Sequence, residues 1–138
     1  RRKLFYGQIA SAQREGGTLV IEDVAVPISK LPEAVRGLKK IAEKNGVPLL
    51  LGGHIGDGNL HPATWYRREE GLGKVEKFLR DMAELVLKLN GTISAEHGIG
   101  TLKKELMAME VGEEVLNYMK ELKKVFDPHG ILNPGKIL

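Results

Sequence analysis

The chain contains no cysteine. That excludes disulfides, thiolate zinc sites and cysteine nucleophiles, so any bound metal must rest on histidine and carboxylate. Aromatic residues make up only 5% of it, and no predicted strand carries the aromatic pattern of an RNA-binding sheet, so nucleic acid is not an expected partner. No apolar run approaches the roughly 20 residues of a membrane helix. The chain opens Arg-Arg-Lys, without an initiator Met and without a signal peptide. It therefore reads as part of a longer, cytoplasmic protein. A net charge of +3 calls for neither nucleic acid nor an anionic membrane. Asn and Gln are few beside Lys and Glu, a weak thermophile flavour.

What is present suits one domain, residues 1–138, with a real core: 42% of the residues are hydrophobic and 28% charged. Residues 2–14 read as a short helix ended by Glu15-Gly16-Gly17. TLVIEDVAVP (18–27) reads as a strand. Residues 29–45 form a helix with Pro32 in its first turn and Asn45-Gly46 as its cap. VPLLLGGHI (47–55) and NLHPATWY (59–66) are strands, and 69–89 is the most regular amphipathic helix. TISAE (92–96) is a fourth, short strand. Helices near 101–109 and 112–126 and a tail, FDPHGILNPGKIL, follow. The order strand, helix, strand, strand, helix, strand is the split βαβ order of an α+β, ferredoxin-like fold. It predicts an antiparallel sheet with helices on one face, further C-terminal helices, and the other face left for a partner.

Chemistry concentrates in HIGDGNLHPA, residues 54–63. If Asp57-Gly58 form a two-residue type I′ turn, Ile55 faces Leu60 and His54 faces His61. Opposed residues share a face with Cβ atoms about 5 Å apart, which suits a shared divalent metal. The alternative is two unrelated histidines, one packed in the core and one capping a loop. A second unit, SAEHGIG (94–100), lies between a strand and a helix. On an extended backbone Glu96 and His97 point to opposite sides, so one can serve a metal and the other a substrate. A carboxylate beside two histidines completes an open catalytic site, which suits Glu96. A plain solvated turn and an anion site at the helix N-terminus are the alternatives there. GILNPGKI (130–137) nearly fits a phosphate loop but has Ile137 where Ser or Thr would hold Mg²⁺, and no helix follows it. Lys103-Lys104 and Lys123-Lys124 read as solvated helix faces.

Together EDVAVPISKLPE, GGHIGDGNLHP, SAEHGIGTLKKELM and FDPHGILNPGKIL resemble the C-terminal domain of FAD-linked 2-hydroxy-acid oxidoreductases of the vanillyl-alcohol oxidase type. That family includes the D subunit of glycolate oxidase and the D-lactate and D-2-hydroxyglutarate dehydrogenases. The resemblance implies that a separate N-terminal domain binds FAD and that this domain covers the flavin and forms the substrate pocket. It implies a divalent metal, Zn or Mn, on His54, His61 and Glu96, and His97 as the base for the substrate hydroxyl. It implies Asn59 as a pocket residue, Arg2 as partner of the substrate carboxylate, and Asn133 and Lys136 where the tail returns to the flavin domain. The expected substrate is a small 2-hydroxy acid, and the expected partners are the FAD domain, other oxidase subunits or a second copy. Such a fragment would be inactive alone. Two other functions compete: a non-catalytic subunit-interaction module with a structural His pair, and a stand-alone metallohydrolase.

Overall fold

A computed structural model describes residues 17–138, together with Gly7 and Ala10. The remainder of the helix expected over 2–14, and with it Arg2, lies outside the described residues. Strands β1 (Gly17–Ile21), β2 (Val24–Ala25), β3 (Leu50–His54) and β4 (Asn59–Arg67) form one antiparallel sheet. Ile21 pairs with Ala63 and Val24 with Leu60, while the Glu22 amide donates to the Pro62 carbonyl at 2.9 Å. β1 and β2 are therefore one interrupted strand in a single register, matching the expected 18–27. Both this strand and β3 run antiparallel to β4, on its two sides. They are thus parallel to each other, linked by helix α1 (Leu31–Asn45), as a split βαβ unit requires.

The fourth strand is reduced to one bridge, Thr92 with Ala25. Beyond it the chain bends, because the backbone amides of Glu96 and His97 turn to the Asp23 carboxylate instead of to a neighbouring strand. Helix α2 (Gly73–Lys88) begins later than expected, since Arg68–Glu70 form a separate 3-10 turn. The two C-terminal helices appear as α3 (Lys104–Phe126), broken at Gly112, whose φ of 79° and ψ of 158° are non-helical.

Apolar periodicity places the core. Leu38 and Ala42 of α1 and Val75, Phe78, Leu79, Met82 and Val86 of α2 pack with Val20, Val24 and Leu60. These strand residues are mutually in register and share one face. Asn59, His61, Ala63 and Trp65 alternate onto the other face of β4. One face is thus the core and the other carries the polar residues of interest.

Candidate functional site

The β3–β4 connection differs from the expected hairpin. His54 pairs with Asn59 and Gly52 with His61, so four residues, Ile55 to Gly58, form the loop. Ile55–Asp57 make a 3-10 turn and only Gly58 has positive φ (74°), whereas a type I′ turn needs positive φ at both central residues. The register moves by two relative to the expected one. Because strand side chains alternate with period two, an even shift keeps both histidines on one face. They become diagonal neighbours, with ring centroids 5.1 Å apart and planes at 86°.

Glu96 joins them from the 94–97 turn. Its Oε1 lies 3.3 Å from His54 Nε2 and 2.7 Å from His61 Nε2, and accepts a 3.0 Å hydrogen bond from Asn59 Nδ2. Burial pushes the Glu96 carboxyl up, but Asn59, His61 and the charge of His54 outweigh it and hold the pKa below the usual carboxylate range. His61 Nε2 is buried without a hydrogen-bond partner, despite the nearby oxygen. A buried imidazole nitrogen facing a carboxylate oxygen is a pair of ligand atoms that a cation placed beside them would satisfy. One ligand atom from each of His54, His61 and Glu96 lies within 4.8 Å of the others. Ligand atoms on a tetrahedral zinc sit about 3.3 Å apart. The donor set thus fits a divalent ion, with one side of it, at His54 and Glu96, open to solvent.

The expectation that Glu96 and His97 point to opposite sides is overturned. In an extended strand successive amides diverge, yet here both donate to Asp23 Oδ2 (2.8 Å for His97). The turn brings the His97 ring to 5.0 Å from the His61 ring and its Nδ1 to 3.7 Å from Asp23 Oδ1. Asn59 is buried, and its Oδ1 has no partner. Asn133 and Lys136 lie apart from this cluster, in an exposed tail turn joined by the Lys136 amide to the Asn133 carbonyl. The Ile137 amide ties that tail to the Gly100 carbonyl, just past His97.

Lys103 was expected on a solvated face and is instead 3% exposed. Its Nζ lies 2.6 Å from Asp23 Oδ1 and 3.3 Å from Glu22 Oε2, and donates to the carbonyls of Ile93 and Asp23. Burial pushes the Asp23 carboxyl up, but hydrogen bonds from Lys103, Glu96 and His97 hold it at about 2. Burial dominates at Glu22 and raises it. Sequence reasoning missed Asp23 and Lys103. The available signal was a charged Glu-Asp pair inside an otherwise apolar strand.

A family model described as FAD linked oxidases, C-terminal domain, matches residues 1–137. The chain is 39% identical to the glycolate oxidase subunit GlcD of Bacillus subtilis, over 87% of this chain and 26% of that protein. It is 37% identical to a D-2-hydroxyglutarate dehydrogenase of Stutzerimonas stutzeri, over 83% of this chain and 26% of that one. The D-lactate dehydrogenase of Archaeoglobus fulgidus matches at 37% identity, over 84% and 26%. Among solved structures, 4-ethylphenol oxidase from Gulosibacter chungangensis, in its isoeugenol complex, superposes with a TM-score of 0.59. Its identity is 21%, covering 88% of this chain and 24% of that one, which speaks to the fold alone. The chain spans about a quarter of the length of these relatives.

Proposed function

Because the chain belongs to the family of FAD linked oxidases, C-terminal domain, we propose that it is the substrate- and metal-binding part of a flavin-dependent dehydrogenase. The reaction is oxidation of a small D-2-hydroxy acid, glycolate or D-lactate, to the 2-oxo acid. The observation that carries this reading is the convergence of His54, His61 and Glu96 beside His97.

FAD, held by a separate domain, would supply the hydride-accepting chemistry. His54, His61 and Glu96 would hold a divalent ion, Zn or Mn, whose positive charge favours loss of the hydroxyl proton. His97 takes that proton. Its Nδ1 lies toward Asp23, which leaves Nε2 to act as the base. Asn59 spends its Nδ2 on Glu96 and so holds that carboxylate in place in the pocket. Arg2 pairs with the substrate carboxylate and fixes which hydrogen faces the flavin. Asn133 and Lys136 meet the flavin domain. No helix among the described residues is long and apolar enough to cross a membrane.

Elemental analysis of this chain, purified without chelator or affinity nickel, tests the reading. We expect about one divalent ion per chain, lost in both His54→Ala and His61→Ala. An ion-free chain that takes up neither zinc nor manganese would leave the His pair structural and remove the Lewis acid. In the FAD-loaded, longer protein, His97→Ala should abolish turnover with FAD still bound. Surviving turnover would refute the base.

A further inference from the structure

We infer that Asp23, locked in place by Lys103, is a positioning residue that sets the Glu96 carboxylate and the His97 imidazole together. The inference rests on the reading of those two residues as ligand and base. The shared register of β1 and β2 puts Asp23 opposite His61 on β4, directly beneath the site. Its two oxygens are fully engaged. Oδ2 accepts the adjacent amides of Glu96 and His97. Oδ1 takes Lys103 Nζ at 2.6 Å and Ser94 Oγ at 3.4 Å, and lies 3.7 Å from His97 Nδ1. Ser94 Oγ in turn accepts the Gly98 amide at 2.8 Å.

Lys103 fixes Asp23 in the same way. Its ammonium is surrounded by Asp23 Oδ1, Glu22 Oε2 and the carbonyls of Asp23 and Ile93, so the start of α3 is tied to both the β1–β2 junction and the Thr92 segment. Apolar contacts hold only the two ends of the turn, with Ile93 in the core and Ile99 packed against it. Ala95, Glu96, His97 and Gly98 between them are all exposed. An exposed stretch between two anchors keeps one shape only if its amides are bound, and Asp23 binds the two that carry the chemistry. A buried ion pair is a poor source of stability by itself, so its placement here is better explained by what it orients.

The test uses this chain in a Glu22→Gln background and removes Asp23 and Lys103 together, so that no member of the buried cluster is left charged and unpaired. In Asp23→Leu with Lys103→Met, amide hydrogen exchange at Glu96 and His97 should accelerate at least ~10-fold while β4 amides keep their protection. Zn²⁺ affinity should fall at least ~10-fold. Asp23→Asn with Lys103→Met retains an acceptor oxygen for the two amides and should recover most of that protection and affinity. Unchanged exchange and unchanged affinity in a folded Leu/Met variant would overturn the inference. So would unprotected Glu96 and His97 amides in the unmodified chain, a result that stands even if the Leu/Met variant does not fold. A chain that binds no Zn²⁺, yet loses amide protection in the Leu/Met variant alone, would defeat the metal reading and leave the positioning role standing.

Discussion

A methyl group on Gly58 would sit 2.1 Å from the Val26 carbonyl oxygen, at a residue whose φ is +74°. Two penalties add there, the left-handed backbone and a backbone collision that no side chain can relieve. Gly58→Ala should therefore cost about 2 kcal/mol or more. Gly56, two positions earlier, has open space around its Cβ direction and no positive φ. Gly56→Ala should change stability by no more than about 0.5 kcal/mol. Thermal melts of the two variants decide it, and equal losses would contradict the described turn. This loop also marks the limit of reading single residues. That His54 and His61 share one face was legible because parity alone fixes it, although the register that makes them diagonal was not. The turn type was not, because Asp-Gly serves both a two-residue loop and the end of a longer one. Lys103 was illegible for another reason: a lysine beside a lysine at a helix start looks solvated until Glu22 and Asp23 arrive from 80 residues away.

At the scale of elements, periodicity carried most of the reading. The stripes of α1 and α2 point where the spacing said, and their packing is fixed by one further polar junction. Asn45, at the end of α1, donates from Nδ2 to the Ile41 carbonyl at 3.0 Å and to Asp81 Oδ2 on α2 at 2.8 Å, and Lys44 Nζ reaches the same oxygen at 2.9 Å. The hydrogen bonds from Asn45 and Lys44 lower the Asp81 pKa below its ordinary 3.8. A carboxyl whose folded pKa is depressed adds stability above the unfolded value, and that stability drains as pH falls through the folded value. The melting temperature of the unmodified chain should thus fall more steeply below about pH 4 than that of Asp81→Asn. Parallel pH profiles would show that the junction contributes nothing. The segment 92–96 failed as a strand because its alternation competes with a stronger acceptor. Asp23 captures the amide of Glu96 at its end and that of His97 just past it, and a sequence pattern carries no trace of a tertiary acceptor.

Across the whole molecule the sheet divides the labour between its faces. The helix-covered face holds the apolar core, and the other face holds His61, Asn59 and the half-exposed Trp65 in one strand. That division was visible in the element order, and the expectation of an α+β antiparallel sheet with helices on one face holds. Which distant side chains complete the site was not visible, since it is gathered from the β1–β2 junction, the end of β3, the start of β4, the 94–97 turn and the start of α3. The division has an energetic consequence. Phe78 is wholly buried in α2, and Phe78→Ala should cost about 3–5 kcal/mol through lost burial and the cavity left behind. Trp65 is the larger side chain, yet it lies on the site face and remains partly in water. Trp65→Ala should cost under about 2 kcal/mol and leave Zn²⁺ affinity within about twofold. Urea unfolding of both variants measures the contrast. If Trp65→Ala proved as damaging as Phe78→Ala, the site face would itself be a second core, and His54, His61 and Glu96 would have to be regarded as part of what holds the chain folded.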